Sequence, residues 1–129
     1  MFNSNAFDYI NVLDKAADAA AMRHNVILNN IANDDTPGYK RQDVSFEEQL
    51  NRALGMNKYE TLDEKVANVR TSQLQARTYT DAANYSYRMD GNNVDIDAEN
   101  TYLAENQIRY NGLIDSMTAE FKNLQTVMK

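Results

Sequence analysis

Leu28-Asn29-Asn30-Ile31-Ala32-Asn33-Asp34-Asp35-Thr36-Pro37-Gly38-Tyr39 is the stretch in which a long helical pattern ends and the chain reverses. Asn33 tolerates the left-handed conformation that commonly closes a helix, so it is expected to be the stop residue. Asp34 and Asp35 agree, because carboxylates are unfavourable at the negative end of a helix dipole and belong beyond it. Thr36-Pro37-Gly38-Tyr39 then reads as a type II turn, with proline presetting φ at the second position and glycine accepting positive φ at the third.

Working backward, Ala6, Ile10, Leu13, Ala17, Ala20, His24, Ile27 and Ile31 step alternately by four and three, the seam of a coiled coil. Alanine at the centre of this seam allows close approach of a second helix, and the larger residues at its ends supply most of the apolar area. A lone helix cannot bury that stripe. Working forward, Val44 and Phe46 alternate with polar residues and suggest a short extended segment. Ser45-Phe46-Glu47-Glu48 has the capping-box pattern, predicting a short helix through Leu50, Ala53 and Leu54 that stops at Gly55. Between 56 and 90, Tyr59, Leu62, Val66, Val69, Leu74, Tyr79, Tyr85 and Tyr87 follow no sustained period. A short helix over Leu62 to Val69 is expected, with loop or irregular strand elsewhere, and the tyrosines argue against full solvation.

Asp97 offers an N-cap for a last helix running toward Met128, with Glu99 favourable in its first turn. Leu103, Tyr110, Ile114, Met117, Phe121, Leu124 and Met128 form its seam, with one gap. The expected fold is mainly α: long N- and C-terminal amphipathic, coiled-coil-like helices joined by a short helix and an irregular middle region. Four segments follow: a helix over 1–33, the turn and short helix over 34–54, an irregular region over 55–93, and the C-terminal helix over 94–129. Whether the two long helices pair within one chain or between chains stays open at this stage.

Asn29, Asn30, Ile31, Ala32 and Asn33, followed by two acidic residues and then Thr36, Pro37, Gly38, Tyr39 and Lys40, resemble the N-terminal signature of bacterial flagellar axial proteins, the rod, hook and hook-associated subunits. Arg41-Gln42-Asp43-Val44-Ser45-Phe46 and Asp90-Gly91-Asn92-Asn93-Val94-Asp95-Ile96-Asp97 look like the short proximal-rod type. The resemblance covers roughly 20–50 and 88–129. It implies a structural role in the basal body and needs no cofactor. It implies export without a cleaved signal peptide and assembly through terminal helices at Ile10, Leu13, Ala17, Ala20, Ile27 and the C-terminal seam. The implied partners are the rod proteins FlgC, FlgF and FlgG, together with FliE, the flagellar export apparatus and other copies of the chain.

Composition narrows the alternatives. The 129 residues hold one proline and four glycines, which suits long helices. Thirteen basic against nineteen acidic residues give a net charge of −6, which disfavours a nucleic-acid surface and an anionic membrane surface. The absence of cysteine excludes disulfides and thiolate metal sites but does not choose a compartment. Met1 to Asp8 lack the basic and apolar stretches of a secretory signal, and no apolar run is long enough to span a bilayer.

The chemical motifs are weak. His24, the one histidine, lies on the first seam, where a register-setting polar residue is the better reading than a ligand or base. Counting a calcium loop from Asp90 puts Val94 at position five, Asp95 where glycine is required and Thr101 at twelve, so that loop fails and a solvated acidic turn with an N-cap is expected. No glycine-rich phosphate loop, nucleophile set or metal-ligand spacing stands out. Tyr79, Tyr85 and Tyr87 beside Arg77 and Arg88 suit interface packing better than base stacking in an acidic chain. The rival to a flagellar subunit is a soluble coiled-coil adaptor or regulator forming a discrete cytoplasmic oligomer, which has no reason to carry the asparagine-rich helix end and the Thr-Pro-Gly-Tyr turn.

Overall fold

A computed structural model describes residues 5–55, 59–81 and 88–129. The elements in chain order are α1 (Asn5–Ala32), β1 (Gln42–Ser45), α2 (Glu47–Leu54), α3 (Leu62–Ala67), a 3-10 turn (Thr71–Gln73), β2 (Arg77–Thr80) and α4 (Ile96–Val127). The fold is mainly α, built on two long helices. The seam position at Ala6 and the tyrosines at 85 and 87 lie outside the described side chains.

α1 and α4 pair within the chain as an antiparallel hairpin: Asn30 near the end of α1 bonds Glu99 near the start of α4, and Asn106 further along α4 bonds the Ala20 carbonyl further back. Ile10, Ala17, Ala20 and Ile27 are buried along the α1 seam, with Leu13, His24 and Ile31 half-buried beside them. A second face of α1 holds the middle of the chain. Ala19, Phe46 and Leu74 form a buried cluster there, with Val12, Ala16, Leu50, Ala53, Val69 and Ala76 packed around it. Burying Phe46 and Leu74 contributes about 2 kcal/mol apiece and ties the short elements to α1.

Several local expectations are corrected. Phe46, not Ser45, stands at the N-cap of α2 and supplies no side-chain cap bond. Burial of Phe46 and the pairing of Ser45 with Arg77 in the β ladder override the local capping preference. The capping box forms at Thr61 and Glu64 instead, heading α3. Asn33 does not adopt positive φ, which among the described residues occurs only at glycines. Helix α1 is closed by the Asn33 side chain, whose Nδ2 donates to the Asn29 carbonyl at 2.8 Å. Asp95, not Asp97, caps α4, its carboxylate accepting from the Asp97 and Ala98 amides at 3.0 and 3.2 Å.

The α4 seam is also shifted. Leu103, Asn106, Tyr110, Leu113, Met117, Glu120 and Leu124 form the unbroken four-three series of buried or half-buried positions. Ile114, Phe121 and Met128 flank it and are 38%, 52% and 84% exposed. The apolar series shares Leu103, Tyr110, Met117 and Leu124 with this register and departs from it at Ile114, Phe121 and Met128, because it passes over polar Asn106 and Glu120. Glu99 and Asn106 are the buried described residues of α4, so beyond Asn106 this helix has none.

Candidate functional site

The two signature stretches lock together. Pro37 and Gly38 occupy the centre of a turn closed by the Tyr39 amide donating to the Thr36 carbonyl at 3.2 Å, with Gly38 at φ 73°. The second stretch fits into the concave side of this turn. Asn92 is fully buried, and its Nδ2 lies 2.9 Å from each of the Asn33, Asp34 and Thr36 carbonyls, while its Oδ1 accepts from the Val94 amide at 2.7 Å. The Gly38 amide donates to the Asp90 carbonyl at 2.7 Å, and the Lys40 ammonium donates to the Gly91 carbonyl. Arg88 completes the clasp through Asp34 at 2.9 Å. An acidic turn that reads as solvated is thus the docking half of a polar joint.

Asn30 explains the asparagine-rich helix end. It is fully buried at the last turn of α1, and its amide ties β1, α4 and the turn together: Nδ2 donates to the Gln42 carbonyl and Glu99, and Oδ1 accepts from the Gln42 amide and the Tyr39 hydroxyl. Asn29 donates to the same hydroxyl at 3.2 Å, and the Asn33 Oδ1 accepts from the Thr36 hydroxyl at 3.1 Å. Burial raises the Tyr39 pKa, as expected for a phenol held inside this network. Ile31 is half-buried, and Ala32 faces solvent as the last residue of α1.

Arg41 sits at the centre. Its Nε donates to buried Glu99 at 2.6 Å, its Nη1 to Asp81 at 2.7 Å, and its backbone amide to Asn93 at 2.6 Å. The guanidinium also lies 5.4 Å from the centroid of the Tyr102 ring. Burial opposes its charge, but the bonds to Glu99 and Asp81 outweigh that cost and its pKa is raised. A buried Glu99 read as a mere helix-start charge is therefore the anchor between the first signature and α4. No local sequence signal marks that pairing across 58 positions.

A second ionic link joins three helices. Glu47 at the start of α2 accepts from Arg23 of α1 at 2.9 Å and from Arg109 of α4 at 2.6 Å. The Arg23 hydrogen bond, with the charges of Arg23 and Arg109 behind it, overcomes partial burial and holds the Glu47 carboxyl down at about 2. His24 lines a groove of about 280 Å³ between α1 and α4 with Asn106 and Tyr110. No group of potential metal ligands gathers among the described residues. No described helix is long and apolar enough to cross a membrane.

These features define a class: a small, mainly α protein with paired terminal helices and a clasped loop between them. The family model described as flagella basal body rod protein matches residues 10–40, the α1 seam through the turn. The flagellar basal body rod protein FlgB of Bacillus subtilis is 38% identical over 117 residues, covering 90% of this chain and 89% of its own. That of Borreliella burgdorferi is 32% identical over 87% of this chain and 89% of its own, and that of Escherichia coli 30% identical over 89% and 88%. The chain belongs to the flagellar basal body rod protein FlgB family. It is a structural subunit of the flagellar basal-body rod, associated with other rod components. The adaptor reading falls with that result.

Proposed function

We propose that this subunit is non-catalytic and builds the rod through the outer flanks of α1 and α4, while the clasp of Asn29–Asn33, Thr36–Tyr39 and Asp90–Val94 fixes how those helices leave the joint. The observation that carries the reading is the unequal burial of α4. Its start is anchored by Glu99 and Asn106, whereas Ile114, Phe121, Val127 and Met128 remain 38% to 84% exposed along its second half. Exposed apolar residues in such a row mark a protein contact. A heterologous contact of this kind does not close on itself and generates a helical array. The neighbours on this reading are other copies, FlgC, FlgF, FlgG and FliE, and delivery is by the flagellar export apparatus without signal cleavage. In this assignment 1–33 and 94–129 are the assembling segments, and 34–54 and 55–93 the joint and its cover.

The test is a chromosomal deletion complemented with the chain. Motility should be lost and restored, and mass spectrometry of purified hook-basal bodies should detect the subunit. Its absence there, with a full cytoplasmic pool, would sink the proposal.

A further inference from the structure

β1 and β2 form a two-stranded antiparallel ladder, and the molecule treats its two outer edges differently. The Asp81 amide donates to the Arg41 carbonyl at 2.9 Å, and the register pairs Gln42 with Thr80 and Val44 with Thr78. Hydrogen-bonded pairs alternate along an antiparallel ladder, so the cross-strand bonds run through Asp43 with Tyr79 and Ser45 with Arg77. The backbone groups of Gln42, Val44, Thr78 and Thr80 therefore point outward.

On β1 the outward groups are all taken. Asn30 accepts from the Gln42 amide at 2.9 Å and donates to its carbonyl at 2.7 Å, Asp43 accepts from the Val44 amide at 2.7 Å, and Arg23 donates to the Val44 carbonyl at 2.7 Å. On β2 no described residue takes the outward amides or carbonyls of Thr78 and Thr80, and all four side chains of the strand are exposed. An open edge is a template for another strand, and proteins blunt it with proline, charged side chains, a bulge or brevity. Arg77-Thr78-Tyr79-Thr80 is short and carries one charge at its first residue, but Thr78, Tyr79 and Thr80 hold no proline, charge or bulge and favour extended backbone.

The geometry points to the outer edge of β2 as a docking edge that takes an extended segment of a neighbouring rod subunit as a third strand. The inference rests on the assembly reading above. Two amide–carbonyl pairs with no partner among the described residues, at alternate positions about 7 Å apart, match the repeat of an extended backbone and of little else. Arg77, the one charge on the strand, favours a carboxylate on the incoming segment. The occupant is not the β2 of a second copy: antiparallel pairing of identical edges is two-fold and closes, whereas a tube needs an open contact, and parallel pairing through the same outer edge on both copies cannot propagate along it.

Thr78→Pro removes an outward donor and leaves the bonds through Arg77 and Tyr79 in place. It is expected to lower the amount of subunit in purified basal bodies at least tenfold with an unchanged urea midpoint, while Thr78→Val, which keeps the amide, incorporates normally. Normal incorporation of Thr78→Pro would overturn the proposal. A photo-crosslinking residue at position 80 in basal bodies decides the matter independently of any loss of folding in the proline variant. The predicted adduct maps to an extended segment of another subunit. An adduct on 77–80 of a second copy, or no subunit adduct where the chain is present in the rod, overturns the edge proposal alone; absence of the unsubstituted chain from basal bodies would remove the assembly reading instead.

Discussion

Asn92 shows how much structure one amide can hold. It supplies the donor to three carbonyls at the reversal after α1, and no water reaches it. Asn92→Ala removes that donor from three part-buried carbonyls, two of which keep a backbone amide, and should cost roughly 1 to 2 kcal/mol in urea unfolding. Asn92→Asp should cost more, because a carboxylate oxygen would then face carbonyl oxygens; a milder effect than alanine would contradict the assigned donor. Gly38 is bound by backbone alone: a Cβ there meets nothing within 4 Å, yet φ is 73°. Gly38→Val should therefore lose roughly 1 kcal/mol or more, and an unchanged midpoint would show that the turn relaxes freely. The turn was legible because proline and glycine carry their torsions with them. The partners of Asn30, Asn92 and Glu99 were not, because each bond spans tens of residues and nothing local marks an amide or a carboxylate as destined for burial.

At the scale of elements, periodicity reveals α1 and α4, while tertiary packing sets their details. The capping pattern at Ser45 failed since Phe46 is worth more in the core than a cap is at the surface. Apolar spacing alone puts Ile114 and Phe121 on the α4 seam beside Met117 and Leu124, whereas the half-buried register runs through Asn106, Leu113 and Glu120. Asn106 donates to the Ala20 carbonyl at 2.8 Å but its Oδ1 is buried without a partner among the described residues. Asn106→Leu removes the orphan acceptor and should stabilise the hairpin by about 1 kcal/mol, as removal of a polar seam residue does elsewhere, at the expense of register. A lower melting midpoint would contradict this. The Glu47 link gives a pH signature. Its folded pKa is about 2 against an ordinary 4.5, so its contribution is complete above 4.5 and lost as pH falls toward 2. Glu47→Gln should flatten the fall of the urea midpoint in that window and leave its slope above pH 5 unchanged; parallel curves would show the link to be inert.

The whole molecule divides into a polar joint densely paired among the described residues and a helical hairpin with apolar side chains exposed along its second half. Sequence alone left open whether the terminal helices pair within a chain, and the hairpin answers that for one copy: α1 meets α4 through Ala17, Ala20 and Ile27, and a full apolar flank remains outside. This separates two substitutions that look alike in sequence. Leu124 is half-buried and continues the register of the inward-facing α4 positions, so Leu124→Asp charges the inner side of α4 as well as any contact beyond it. Phe121 is 52% exposed on the flank, so Phe121→Asp leaves the hairpin and charges only the outer surface. The desolvation of a carboxylate in an apolar contact costs several kcal/mol, enough to abolish association. The most direct measurement is therefore the amount of Phe121→Asp in purified basal bodies, taken beside the amount secreted and the helicity of the isolated subunit. Wild-type helicity and secretion with at least a tenfold loss from the rod is the predicted result; incorporation at the wild-type level would show that the outer flank of α4 is not where the rod is built.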